Sequence, residues 1–332
     1  MKICVIGAGA IGGLLAAKLA HAELEVSVVA RGAHLAAIRA DGLILREGGG
    51  EIVARGAATD RIGDIASPDL VILGMKAHQV AAVAADVAAI LTPASLVLTA
   101  QNGLPWWYFH KHGGPREGVT LQSVDPGGII AKHLPIDQII GAVVYPAAEI
   151  ERPGVIRHIE GNRFSLGEID GAKTDRIARV SEVFGAAGFK APASSDIRSE
   201  IWTKLWGNAC FNPISALTHA TLEYICRYAP SHTLAAAIMR ETQAVGEAFG
   251  IRFRISIEKR IAGAEAVGAH KTSMLQDVEN GRAIEADALI GSVLELARMA
   301  DIATPHTDAV YALTKLLGRT LADAGTRLAL AR

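Results

Sequence analysis

Apolar residues are spaced in two ways along this chain, and the change falls near residue 193. In the first half, short and mostly apolar runs at 2–6, 25–30, 70–74 and 95–99 alternate with segments of helical period at 11–21, 33–41 and 80–91. Short apolar runs bounded by turn residues predict strands buried on both faces, and their alternation with helices predicts a parallel sheet. The runs 43–45 and 52–54, joined by Arg46-Glu47-Gly48-Gly49-Gly50-Glu51, predict a hairpin. Strands at 119–124, 139–145, 154–159 and 163–166 follow with little helix between them, and suggest antiparallel strands added at one end of the sheet. Beyond 189–196 the pattern is helical: 197–218, 231–249, 255–267, 284–300 and 308–322, with Asp196 suited to cap the first helix. The expected organisation is therefore an α/β domain over 1–193 and a helical domain over 194–332. The length suits two cores better than one.

Composition narrows the function classes. With 33 basic and 34 acidic residues the net charge is −1, and no basic stripe stands out, so neither nucleic acid nor an anionic membrane is an expected partner. Half of the residues are hydrophobic, yet no apolar run approaches the ~20 residues of a membrane span. No charged leader precedes the first strand, and the expected location is cytoplasmic. The three cysteines, Cys4, Cys210 and Cys226, are an odd count without CxxC spacing, which argues against a disulfide framework or a cysteine-rich zinc site. No metal is expected.

The sharpest local signal is Gly7-Ala8-Gly9-Ala10-Ile11-Gly12-Gly13. It closes an apolar strand and opens an amphipathic helix, the context in which GxGxxG binds a dinucleotide. Gly7 allows the tight turn, Gly9 lets a pyrophosphate approach the backbone, and Gly12 lets the helix lie close to the strand. The second strand ends Val28-Val29-Ala30-Arg31-Gly32, with Arg31 where an NAD enzyme carries Asp or Glu for the ribose hydroxyls. An arginine there can grip a 2′-phosphate, so NADP (NADPH) is the expected cofactor.

Two loops follow later strands: Gly74-Met75-Lys76-Ala77-His78 and Ala100-Gln101-Asn102-Gly103. Ligands of open α/β sheets bind at the carboxyl ends of strands, so Lys76 and Asn102 are candidates for contact with cofactor or substrate. In the helical half, Lys204, Asn208 and Asn212 recur every four positions and form one polar stripe amid Trp202, Trp206, Cys210 and Phe211. Farther on stand Ser273-Met274-Leu275-Gln276-Asp277 and Gly281-Arg282-Ala283-Ile284-Glu285. Gly281 is expected to separate a short helix from a longer one carrying Glu285.

In this order the segments resemble the ketopantoate reductase family, from the glycine motif through Lys76, Asn102, the Lys204 helix and Ser-Met-Leu-Gln-Asp to Glu285. The resemblance implies an N-terminal Rossmann-type doubly wound sheet with a C-terminal all-helical domain. It implies NADPH-dependent reduction of a small 2-oxo acid, 2-dehydropantoate to pantoate in pantothenate biosynthesis. Lys204 would be the general acid with Glu285 beside it. Asn102, Asn208, Asn212 and Ser273 would hold the substrate. Gly7, Ala8, Gly9, Ala10, Ile11, Gly12, Arg31, Lys76 and Asn102 would hold the cofactor. A homodimer is the assembly to test for.

Two features depart from the pattern. His270 stands where a different polar residue is common, and reads either as a pocket histidine or as a capping and packing group. Pro105-Trp106-Trp107-Tyr108-Phe109-His110 is unusually aromatic, and reads either as a packed apolar cluster or as a lid or pocket wall for a bulkier 2-oxo acid. The competing functions are a reductase of another branched or aromatic 2-oxo acid and a non-catalytic NADPH-binding sensor. Cofactor binding alone does not need the Lys204, Asn208, Asn212, Ser273 and Glu285 set, which weighs against the sensor.

Overall fold

The computed structural model describes residues 1–330; the last two residues of the 194–332 domain expected above lie outside them. It resolves into two compact units, one of Met1–Thr120 and Asp125–Ile197, the other of Leu121–Val124 and the chain from Arg198 onward.

The first unit begins with β1 (Lys2–Ile6), α1 (Ala10–His21), β2 (Glu25–Val29) and α2 (Gly32–Asp41). It continues with β3 (Leu43–Glu47), β4 (Gly50–Ala54), β5 (Ala57–Thr59), β6 (Leu70–Leu73), α3 (Ala84–Ile90) and β7 (Leu96–Thr99). Then come α4 (Ile129–His133), β8 (Ile139–Val144), β9 (Ala147–Arg152), β10 (Val155–Glu160), β11 (Phe164–Glu168) and α5 (Asp175–Ala186). Seven strands form the main sheet in the order β11-β8-β7-β6-β1-β2-β5, with every pair parallel except β8–β11. β6 and β7 are buried at every residue, which is why they read as continuous apolar runs. Strand order reverses at β1, flanked by β2 and β6, so the loops leaving β1 and β6 border the switch point where such sheets bind ligands.

A second sheet, β4-β3-β10-β9, carries the expected hairpin. α1 packs against it closely: a Cβ on Gly13 would come within 2.6 Å of Ile156. The expected antiparallel addition to the main sheet is thus β11 alone. The 154–159 strand belongs instead to the second sheet, beside β9, an exposed edge strand with no apolar face to announce it.

Two further expectations change, and one helix is added. Residues 119–124 form turns, not a strand: Gln122 and Ser123 donate their backbone N–H groups to the two carboxylate oxygens of Glu295, each at 2.8 Å, in place of a neighbouring strand. The 80–91 helix shortens to α3, preceded by a 3₁₀ turn at Ala77–Gln79. α5 was not anticipated, although Thr174 caps its Ile177 N–H and Ile177, Val180 and Phe184 make a helical stripe against Phe164 and Phe189.

The second unit contains the bulk of α6 (Ile197–Thr218), then α7 (Leu222–Arg227), α8 (Ala229–Ala248), α9 (Ile257–Ala266), α10 (Ser273–Glu279), α11 (Ser292–Met299) and α12 (Pro305–Asp323). Its core surrounds Trp206, whose indole N–H donates to the Met239 carbonyl at 2.9 Å. Met239 and Ile238 come from α8, Ile261 and Ala264 from α9 and Val310 from α12. The three cysteines are buried and unbridged, and burial pushes the Cys4 thiol up to about 12 and that of Cys226 to about 11, as suits small packed hydrophobes. No helix among the described residues is long and apolar enough to cross a membrane.

Candidate active site

The glycine loop of the first unit is shaped as its composition requires. Gly7 adopts φ +91° and donates its N–H to Val29 at 3.0 Å, tying the loop to the end of β2. A Cβ on Gly12 would stand 2.0 Å from the Gly7 carbonyl oxygen, so close packing of α1 on β1 admits only glycine there. Gly9 is different. Its φ of −63° suits any residue, and the nearest atom to a Cβ built on it is 4.0 Å away. Glycine at that position leaves room outside the protein's own packing, the cradle a pyrophosphate would fill. Gly9 is also the N-cap of α1, offers no side-chain cap, and no acidic residue stands in the first turn, so the helix end is suited to an anion.

Arg31 is the N-cap of α2, directly beyond β2; its carbonyl accepts the Leu35 N–H at 3.3 Å, while its exposed guanidinium makes no hydrogen bond or ion pair among the described residues. Lys76 and Asn102 are half-buried in the loops after β6 and β7. A residue not singled out in the sequence joins those loops: the Gln101 amide donates to the carbonyls of Leu73 at 2.6 Å and Met75 at 3.1 Å. Its only signal was adjacency to Asn102.

The aromatic run after Asn102 is packed. Trp107, Tyr108 and Phe109 have no exposed surface and Trp106 retains 4 %. The Trp107 indole N–H donates to Thr99 Oγ1 at 3.0 Å, and its ring covers Gly141, where a Cβ would come within 2.8 Å. The run is an apolar cluster of the first unit, not an exposed lid.

In the second unit, α6 is continuous through the polar stripe. Lys204 and Asn208 are half-buried, and Asn212 is 5 % exposed. Burial lowers the Lys204 ammonium to about 8, against the opposing pull of the Glu285 carboxylate, so the structure brings these two together electrostatically. Glu285 does not lie in a helix as expected. It precedes a π-helical turn (Asp287–Gly291) that leads into α11, a local irregularity frequent at functional sites.

Two anchors hold that segment. Arg282 donates to Asp277 through its side chain at 2.9 Å and its backbone at 2.8 Å, which accounts for the aspartate of Ser-Met-Leu-Gln-Asp. Asp287 accepts from the Tyr311 hydroxyl at 2.6 Å and from Lys315 at 2.9 and 2.8 Å, both on α12. Ser273 is the first residue of α10, exposed, behind the cap Thr272. The His270 carbonyl accepts the Leu222 N–H at 3.0 Å, joining its segment to the start of α7.

Comparison with known proteins places the chain in a family. The family model described as ketopantoate reductase PanE/ApbA matches residues 3–107, and that of its C-terminal part matches residues 196–318. The chain belongs to the ketopantoate reductase family. A 2-dehydropantoate 2-reductase of Mesorhizobium japonicum is 52% identical over 96% of this chain and 98% of its own. A putative ketopantoate reductase from Ralstonia solanacearum superposes with a TM-score of 0.92 at 39% identity, covering 96% of this chain and 98% of that one. A 2-dehydropantoate 2-reductase from Methylococcus capsulatus superposes at 0.81 with 27% identity, covering 97% and 98%. The family consists of NAD(P)-dependent oxidoreductases, and its two-part plan is the one described here: a mostly parallel sheet followed by a helical unit.

Proposed function

We propose that this chain is a cytoplasmic reductase that uses NADPH to convert 2-dehydropantoate to pantoate. In this reading residues 1–193 bind NADP and residues 194–332 supply catalysis and substrate contacts. The observation that carries it is the Lys204 ammonium, made acidic by burial and paired in charge with Glu285, on the helix face of Asn208 and Asn212. Reduced nicotinamide, when bound, supplies a hydride to C2 of the oxo acid. Negative charge then gathers on the former carbonyl oxygen. Lys204 stabilises it and transfers a proton from Nζ, leaving a neutral hydroxyl and a neutral lysine. Glu285 holds that proton on Nζ until it is needed, and orients the amine. Asn208, Asn212, Asn102 and Ser273 are suited to hold the substrate's carboxylate and hydroxyl without adding charge.

For the cofactor, Gly7, Ala8, Gly9, Ala10, Ile11 and Gly12 would hold the pyrophosphate, with Lys76 and Asn102 as further contacts. Arg31 would hold the 2′-phosphate. Arg31→Ala is expected to weaken NADPH by about 1.5–3 kcal/mol, the size of a charge-assisted bidentate contact, and to leave NADH nearly unchanged. The comparison of KM for both cofactors checks this; equal turnover of the wild type with either one would oppose it.

The deciding assay follows NADPH oxidation against a panel of 2-oxo acids that includes 2-dehydropantoate. Preference for 2-dehydropantoate supports the proposal. Preference for a bulkier aromatic acid keeps the hydride chemistry and changes the substrate, and binding of NADPH without turnover of any acid would point to a sensor. Trp107→Ala should cost about 3–5 kcal/mol of stability, measured by denaturant unfolding, because it empties a fully buried site. The ranking of 2-oxo acids should not move.

A further inference from the structure

His34 is the third residue of α2, in its first turn, and its ring joins two parts of the first unit. The Gly154 backbone N–H donates to Nδ1 at 3.0 Å, which leaves the proton of the neutral ring on Nε2. Nε2 then donates to the Ala8 carbonyl at 2.7 Å. Burial lowers the pKa of the imidazole, in keeping with the neutral form that both bonds require.

Both ends of this bridge are informative. Gly154 lies in the turn between β9 and β10 at φ +78°, and a Cβ there would come within 2.8 Å of Ala37 on α2. Its carbonyl accepts the Ile44 N–H at 2.9 Å, so the turn is fastened to β3 as well. Ala8 stands between the first two glycines of the loop. Its peptide unit with Gly9 is planar and trans, so a hold on the Ala8 oxygen also fixes the direction of the Gly9 N–H on the opposite side. That N–H opens α1, at the position whose missing side chain leaves open space.

We propose that His34 is a positioning residue for the dinucleotide site, aiming the Gly9 N–H at the cofactor's phosphate by tethering the Ala8 carbonyl to the second sheet. The inference rests on the reading of Gly7–Gly12 as the pyrophosphate loop. Without the tether, flexible glycines on both sides of Ala8 let that peptide unit rotate, and binding must then order it.

Two amide replacements separate the two bonds. The oxygen of His34→Asn stands near Nδ1 and can accept from Gly154. The amide nitrogen of His34→Gln stands near Nε2 and can donate to Ala8. His34→Leu removes both bonds. NADPH dissociation constants by fluorescence titration should rise about tenfold in the Leu and Asn variants and stay within about threefold of wild type in the Gln variant, a tenfold loss being the size of one neutral hydrogen bond. With both substrates saturating, kcat should stay within about twofold in all three. Amide hydrogen exchange of residues 7–12 without cofactor should quicken about tenfold in the Leu and Asn variants only. Wild-type affinity in a folded Leu variant, or an Asn variant as good as the Gln variant, would overturn the proposal. The second result would show that His34 merely fastens the β9–β10 turn. Failure of the wild type itself to bind NADPH would reject the dinucleotide reading, and that outcome is distinct because it appears before any substitution is made.

Discussion

Lys204→Ala is expected to lower kcat by a factor on the order of 10² to 10⁴, about 3–5 kcal/mol of transition-state stabilisation, while NADPH binding by fluorescence titration stays near wild type. The side chain is half-buried on α6, so its loss creates no large core cavity and the effect should fall on turnover rather than folding. Unchanged turnover would reduce Lys204 to an ordinary helix residue and overturn the mechanism. The protonation state gives a second readout. A general acid works only while protonated, and burial brings this ammonium to about 8. kcat/KM should therefore fall about tenfold per pH unit above that value, where an ordinary lysine would begin to lose its proton only as pH nears its usual value of about 10.4. Glu285 raises the same pKa, so Glu285→Gln should move the alkaline limb to lower pH as well as slow the reaction. Because the two groups act as one device, the double variant should lose less than the product of the single losses.

Gly9→Ala and Gly12→Ala should behave as opposites despite standing three residues apart in one motif. A methyl group at Gly12 would meet the Gly7 carbonyl oxygen at 2.0 Å, and that neighbour is backbone, unable to swing aside. α1 must then lift from β1, and stability should fall by about 3 kcal/mol or more, as for severe overpacking. Cofactor binding should fail with it. A methyl group at Gly9 meets nothing nearer than 4.0 Å at an ordinary backbone angle. Unfolding midpoints of Gly9→Ala should stay near wild type while the NADPH dissociation constant rises by about 10- to 100-fold, the methyl group occupying space the pyrophosphate needs. Thermal unfolding and fluorescence titration on both variants separate the cases. A Gly9→Ala protein that binds NADPH as tightly as wild type would show that the loop does not hold a pyrophosphate.

Local pattern carried far where local physics decides the outcome. Central strands buried on both faces are apolar nearly throughout, so β1, β6 and β7 were visible as runs. A GxGxxG after such a strand is constrained by sterics within ten residues. The stripe of Lys204, Asn208 and Asn212 follows from helical period alone, and α6 has the bounds its pattern predicts, 197–218. Elements went unread where tertiary contact outweighed pattern. Residues 119–124 alternate like a strand, but the Glu295 carboxylate takes two of their N–H groups from 172 or more positions away. β9 lies on a sheet edge with half of its residues exposed and needs no apolar face.

The same division holds for the candidate site. Residue types and spacing were enough to nominate Lys204, Glu285, Arg31 and the glycines, because each answers to its own local chemistry. Folding alone made Glu285 a neighbour of Lys204, 81 positions away, and turned an ordinary lysine into an acid with a pKa of about 8. Desolvation and paired charge belong to an environment assembled from distant segments, and no window of sequence contains them. The supports are of that kind too: Gln101 across two strand ends, Arg282 on Asp277, Tyr311 and Lys315 on Asp287, and His34 between Ala8 and Gly154. Hydrogen bonds reach about 3 Å in space whatever the distance along the chain, so only the folded molecule could select these partners.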